Sequence, residues 1–314
     1  MLQVIAKSSE KTRTSERIYF GILNPMDIES SLRPYILEVN ARLDQILPRE
    51  TEEPTPLHQA MRYSALAPGK RIRPVLSLIC AEATGGNRQQ ALDAACAIEM
   101  VHCFSLIHDD LPALDNDNLR RGLPTCHVKF GEAIAILAGD GLFALAFETI
   151  ANQHAKPDIT VECMKILTHS VGSLGLVGGE TIDILSEGKP VNAEILELIH
   201  RRKTASLIAA SCEIGSLFGT IDARAKLRQY GECIGLAFQI ADDVLNETGT
   251  PDQLGKAAGS DRERQKATYP AVYGIEESRR KALELAETAS KCIQGLENEA
   301  LLHGIARYTF ERLS

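Results

Sequence analysis

Apolar residues recur at steps of three and four along most of the chain, the spacing of helices with one buried face. In "DIESSLRPYILEVNARLDQIL" the series Ile28, Leu32, Ile36, Val39, Leu43 and Ile46 predicts an amphipathic helix. "RPVLSLICAEATGG" predicts a second, opening with Pro74 in its first turn and closing on Gly85 and Gly86, the usual asymmetry of helix ends. "RQQALDAACAIEMVHCFSLIHDD" is apolar nearly all round, so its middle belongs at the centre of the core. "FGEAIAILAGDGLFALAFETIANQ" reads the same way, with a break or stiffening expected at Gly139 and Gly141. Residues 191–246 predict two more long helices, and "EESRRKALELAETASKCIQGLENE" an exposed, charge-laced one. No segment alternates at period two between turn signals, so strands are not expected. One long polar loop, 246–270, interrupts the pattern, and loops of that length in compact domains are usually functional or disordered. Residues 27–314 therefore read as a single all-α domain, with 1–26 a flexible extension whose basic, hydroxyl-rich character a targeting segment would share.

Composition narrows the classes. A length of 314 residues with 44% hydrophobic and 24% charged residues is that of a globular protein with a large core. The net charge of −8 disfavours nucleic acid as a partner, because a phosphate backbone needs a basic stripe, but it leaves room for small phosphate ligands. No apolar run reaches the roughly 18 residues of a membrane span, so no transmembrane segment is expected. The eight cysteines stand singly without a CxxC pair, which fits free thiols in a reducing compartment, the cytoplasm by default.

The chemistry concentrates where buried helices end. "LIHDDLPALDNDNLRRGLPT" packs Asp109, Asp110, Asp115 and Asp117 behind an apolar helix, then adds Arg120 and Arg121. Pro112 cannot continue the helix, so Asp115 can swing back towards Asp109. Crowded carboxylates need a cation, and oxygen-only ligands point to Mg²⁺. A second block, "GLAFQIADDVLN", sets Asp242 and Asp243 at the end of another apolar helix, with Asn246 four residues on. Bases gather at "GKRIRP" (Lys70, Arg71, Arg73, preceded by Gly69 for close backbone approach), at "HRRKTAS" (Arg201, Arg202, Lys203, Thr204), and in the long loop (Lys256, Lys266). Such clusters in an acidic protein suit diphosphates. Two acidic blocks and several basic ones imply two diphosphates, one held through metal and one directly by bases.

"GKRIRP", "LIHDDLPALDNDNLRRGLPTCH", "KFGEAIAILAGD", "RRKTASLI", "FQIADDVLN" and "LGKAAGSDRERQKATYP" together resemble the signature blocks of trans-isoprenyl diphosphate synthases, in order from about residue 30 to the C-terminus. The resemblance implies a bundle of about ten or more helices around a deep apolar cavity (the isoprenoid synthase fold), a homodimer, and two or three Mg²⁺ ions. It assigns Asp109 and Asp115 to metal on the allylic diphosphate and Asp242 to a further ion opposite. It gives Arg120, Lys203 and Lys256 to the allylic diphosphate, and Lys70, Arg73, His102 and Arg121 to the metal-free diphosphate of isopentenyl diphosphate. Thr204 and Gln239 would lie near the scissile bond. His102 stands seven residues before Asp109, on roughly the same helix face, which supports a ligand role independently. Two positions depart from the family pattern: Asn246, where an acid is usual, and Glu180, where Gln is commoner.

Product length is expected to depend on the floor beneath Asp109, formed by Ser105 and Phe104. An aromatic residue five positions before the first aspartate, together with the two-residue "LP" insertion, resembles bacterial farnesyl diphosphate synthases, so the expected product is farnesyl diphosphate, with geranylgeranyl diphosphate as the alternative. A class I terpene cyclase would not need the second basic site at Lys70 and Arg73. A non-catalytic subunit of a heteromeric synthase would usually lack acids in one block, and here both doublets remain.

Overall fold

The three-to-four spacing folds as expected, into fourteen α-helical segments and one π-helical turn among the described residues. A computed structural model describes residues 25–248 and 266–311; Lys256, most of the expected 246–270 loop and nearly all of the expected N-terminal extension lie outside them. In chain order the helices are α1 (Pro25–Ile46), α2 (Thr55–Ala65), α3 (Ile72–Ala83), α4 (Arg88–Asp109), α5 (Cys126–Phe130), α6 (Glu132–Asn152) and α7 (Pro157–Val171). They continue as α8 (Leu176–Ser186), α9 (Ala193–His200), the π turn Arg201–Ala205, α10 (Ser206–Ser216), α11 (Arg224–Thr248), α12 (Tyr269–Tyr273), α13 (Ile275–Cys292) and α14 (Glu299–Glu311). Extended pairing among the described residues is confined to a ribbon of two-residue strands, β1 (Leu119–Arg120) and β2 (Leu123–Pro124).

The centre is the α4 expected from its all-round apolarity. It starts on Asn87, whose side chain accepts from the Gln89 backbone N–H at 2.9 Å, and is buried without a break from Ala94 to Val101. It packs on α3 and α6; α10 packs on α3, α7 and α11, and α11 on α13. Eight free cysteines fill gaps in this bundle, seven of them buried.

Helix α6 differs from its expectation in two ways. It runs unbroken through Gly139 and Gly141, because both glycines serve close packing. A Cβ on Gly139 would fall 2.3 Å from the His108 ring, and one on Gly141 would fall 3.0 Å from Met61 sulfur. It is also not buried all round: Ile136 and Leu137 are exposed. Contrary to the expectation of no span-length apolar run, α4 and α6 are both long and apolar enough to cross a membrane by length and composition, though most of α4 lies inside the bundle.

Candidate active site

Helix α4 stops at Asp109 and its chain folds back, as the proline predicted. The Asp115 backbone N–H donates to Asp109 O at 2.8 Å, Asn116 to Leu111 O at 3.0 Å and Asp117 to Asp110 O at 3.2 Å. The adjacent aspartates then part company. Asp110 is buried and receives a fork from Arg120, with Nε at 2.7 and 2.9 Å and Nη2 at 2.6 Å. Asp109 instead faces other acids. Burial, then Glu180, then Asp115 push its carboxyl up to about 7, against the pull of Lys203 and Arg120. Asp115 pairs with Lys266 at 2.9 Å.

The "RRG" that follows is a hairpin device. Arg121 and Gly122 have φ of 54° and 77°, and they join β1 to β2, where Arg120 pairs with Leu123. A two-residue loop with both φ positive matches the twist of a ribbon, and glycine suits its second position. Neighbouring arginines thereby reach opposite ways. Arg120 goes to Asp110, while Arg121 donates to Pro68 O at 3.0 Å and lies against Gly69. A Cβ on Gly69 would come within 2.3 Å of the Arg121 guanidinium, so the expected close approach at this glycine is to an arginine.

The facing wall comes from the π turn and α11. Widening the helix by one residue aligns Lys203 and Thr204 with neighbours on two other helices. Lys203 Nζ lies 2.6 Å from Glu180 and 2.7 Å from Asp183. Burial alone would lower its pKa, yet Asp183, Glu180 and Asp109 carry it above the ordinary lysine range. Thr204 Oγ1 donates to Gln239 at 2.8 Å, and Gln239 Nε2 donates to Asp243 at 3.0 Å. Asp243 also accepts from the Tyr269 backbone N–H at 2.9 Å and lies 3.4 Å from His200. The buried Asp243 is thus a hub that holds the wall together, while Asp242 is more open. Asn246 is buried deeper than Asp242.

The bases of "GKRIRP" separate sharply. Arg71, in a left-handed conformation at φ 50°, is buried on Glu99 at 2.8 Å, Asn40 and the carbonyls of Ala65 and Ala67. It is a packing residue. Arg73 approaches His102 at 3.3 Å, and its buried Nε has no hydrogen-bond partner among the described residues. Burial lowers the Arg73 pKa and Arg121 lowers it further; Glu99 and Asp242 oppose them. Burial, then Arg73, Arg121 and Arg120, hold His102 well below the ordinary imidazole range. Arg73, His102 and Arg121 therefore form a basic cluster with no carboxylate at ion-pair distance among the described residues. Lys70 is not drawn into it: its Nζ donates to Tyr308 at 2.8 Å.

Phe104 meets Phe143 at a tilt of 58° and His108 edge-on, with ring centroids at 5.0 and 4.8 Å, and Phe143 meets Phe147 edge-on at 5.0 Å. Ser105, one turn before Asp109, is buried with its hydroxyl donated to His102 O at 2.9 Å. The Phe104 ring therefore belongs to an α4–α6 aromatic cluster, and a small residue lies a turn below the first aspartate.

Oxygen donors that repel one another at Asp109, Glu180 and Asp115 suit a hard divalent cation, which would relieve the repulsion. Among the described residues no three of His, Cys, Asp and Glu close into a ready-made metal cage. An open oxygen set of this kind fits Mg²⁺, which keeps waters and completes its shell with phosphate oxygens. Sequence reasoning missed the partners Asp110, Asp183, Glu99 and Tyr308. Only Asp110 carried a signal, as the inner member of a doublet whose outer member faces the site.

A polyprenyl synthetase family model matches residues 54–301. Geranylgeranyl pyrophosphate synthase 4 of Arabidopsis thaliana is 44% identical over 287 residues, covering 88% of this chain and 77% of the relative. A geranylgeranyl diphosphate synthase of Cyanophora paradoxa is 44% identical over 300 residues, covering 92% and 99%. Among solved structures, an FPP/GFPP synthase from Zymomonas mobilis superposes with a TM-score of 0.80 at 33% identity, covering 91% of this chain and 99% of that one.

Proposed function

We propose that this chain, which belongs to the polyprenyl synthetase family and is a prenyltransferase, joins isopentenyl diphosphate to allylic diphosphates and carries the product to geranylgeranyl diphosphate. The observation that carries the two-substrate reading is the contrast between Arg73, His102 and Arg121, which have no carboxylate at ion-pair distance among the described residues, and the mutually repelling carboxylates Asp109 and Asp115. One site offers bare positive charge and the other needs a cation before a diphosphate can approach.

In this reading Arg73, His102 and Arg121, with Lys70, bind the diphosphate of isopentenyl diphosphate. Asp109, Asp115 and Asp242 would hold Mg²⁺, which supplies Lewis-acid neutralisation of the allylic diphosphate. Arg120, Lys203 and Lys256 add donors to that leaving group as its charge develops. Its carbon–oxygen bond breaks to a delocalised allylic cation. Thr204 and Gln239, fixed to each other and to Asp243, set polar oxygens beside the bond. The double bond of isopentenyl diphosphate attacks the cation, and the proton then lost goes to the departed diphosphate. The apolar bundle keeps water from the cation.

The relatives favour the twenty-carbon product over the fifteen-carbon one that Phe104 suggests. The placement of Phe104 against Phe143, with Ser105 a turn below Asp109, agrees with the longer chain. Farnesyl diphosphate is the second reading, supported by the aromatic ring itself and by the Zymomonas structure. Mass spectrometry of products from dimethylallyl and isopentenyl diphosphates with Mg²⁺ decides. Mainly twenty-carbon diphosphate supports the proposal; mainly fifteen-carbon product supports the second reading. The exposed Ile136 and Leu137 on α6 support a second copy of the chain as partner, and the free thiols support a reducing compartment such as the cytoplasm.

A further inference from the structure

Lys70 is held by an uncharged group, unlike Lys203 and Lys266, which pair with carboxylates. Its Nζ donates to the Tyr308 hydroxyl at 2.8 Å and stands 5.0 Å over the centre of that ring. The same hydroxyl donates to Glu29 at 3.1 Å. With its only proton committed to Glu29, the phenol oxygen turns a lone pair towards Lys70. Three distant parts of the chain meet here: α1 through Glu29, the turn before α3 through Lys70, and α14 through Tyr308.

The turn is also tied to the basic cluster. Pro68 O accepts from Arg121 and Gly69 lies on the Arg121 guanidinium, one residue before Lys70. A cleft of about 430 Å³ lined by Glu29, Gly69, Lys70 and Tyr308 leaves the lysine room to move. A lysine stem is long and rotamer-rich, so ordering it beforehand removes part of the entropy lost on binding an anion. A neutral partner orders it without cancelling its charge. A carboxylate in direct contact would compete with a diphosphate, and Glu29 stays one hydrogen bond away.

We propose that Tyr308, backed by Glu29, is a positioning residue that holds Lys70 ready at the edge of the isopentenyl diphosphate pocket. This rests on the proposed role of Lys70 in binding that substrate.

The test is calorimetric titration of the full chain with isopentenyl diphosphate in EDTA, together with steady-state kinetics. Tyr308→Phe keeps the ring and removes the oxygen, so binding weakens about three- to ten-fold, the worth of one hydrogen bond. KM for isopentenyl diphosphate rises by the same factor, while kcat, the allylic KM and the melting temperature hold. Glu29→Ala shifts the same KM in the same direction by no more than Tyr308→Phe does. In a Lys70→Ala background Tyr308→Phe adds nothing. The proposal is overturned if Lys70→Ala weakens binding and Tyr308→Phe does not, or if Tyr308→Phe weakens it equally without Lys70. If Lys70→Ala itself leaves binding intact, the assignment of Lys70 to this substrate falls, and the role of Tyr308 falls with it.

Discussion

The two halves of the candidate site, proposed above for two diphosphates, both carry basic side chains, but they keep them in opposite conditions. On the side proposed for the allylic diphosphate, Arg120 is already paired with Asp110, Lys203 with Glu180 and Asp183, and Lys266 with Asp115. On the side proposed for isopentenyl diphosphate, Arg73 and Arg121 have no carboxylate partner among the described residues, and Lys70 rests on a phenol. An anion entering the second half meets free charge. One entering the first half meets bases already held by carboxylates, beside the mutually repelling Asp109 and Asp115 that divalent cations would take up in the proposed function. The proposed need for metal on one side therefore follows from how the bases and acids are paired.

Removing a metal-side carboxylate should have the largest effect. Asp109→Asn is expected to lower kcat by about 10²–10³-fold, the usual loss of one preorganised electrostatic contact to the leaving group. Isopentenyl diphosphate binding in EDTA should not change. If binding fell in parallel, the halves would not be independent.

A cut on the bare side should be smaller and confined to one substrate. Arg73→Ala removes a half-buried charged donor, and KM for isopentenyl diphosphate should rise about 10–100-fold. The KM of the allylic substrate should stay within a factor of about two, given additivity between separate sites. Equal rises for both substrates would mean that one shared basic surface serves them.

The mildest change tests the pairing itself. Glu180→Gln takes one of two carboxylates from Lys203, and a partly exposed pair is worth at most about 1 kcal/mol. Inorganic pyrophosphate should then bind without metal up to about five-fold more tightly. Weaker binding would show that Glu180 assists the site and does not mask Lys203.

This contrast was only half legible in the sequence. The helices were, because burial of one face imposes its period: α1, α3 and α4 lie where the spacing placed them, and the return of Asp115 followed from Pro112. The pool of bases and acids was legible too. Their pairing was not, since it depends on contacts between distant segments. Arg71 and Arg73 look alike two residues apart, yet Glu99 takes the first and leaves the second. Asp109 and Asp110 are neighbours with opposite roles, sorted by a hairpin whose signal, Arg-Gly between short extended pieces, is faint. The glycines of α6 looked like breaks because sequence does not reveal the His108 ring and Met61 sulfur packed against them. The contact of Phe104 with Phe143 was not legible either, because the two lie 39 positions apart.

The most direct measurement compares the two halves with and without metal. Isopentenyl diphosphate and geranyl diphosphate are titrated separately into the full chain by calorimetry, in Mg²⁺ and in EDTA. Isopentenyl diphosphate should bind within about two-fold in both buffers, because its bases stand free of acid. Geranyl diphosphate should lose about ten-fold or more in EDTA, since about 1.4 kcal/mol of unrelieved repulsion already gives that factor. Equal metal dependence for the two ligands, or none for either, would contradict the division of the site into a bare half and a paired half.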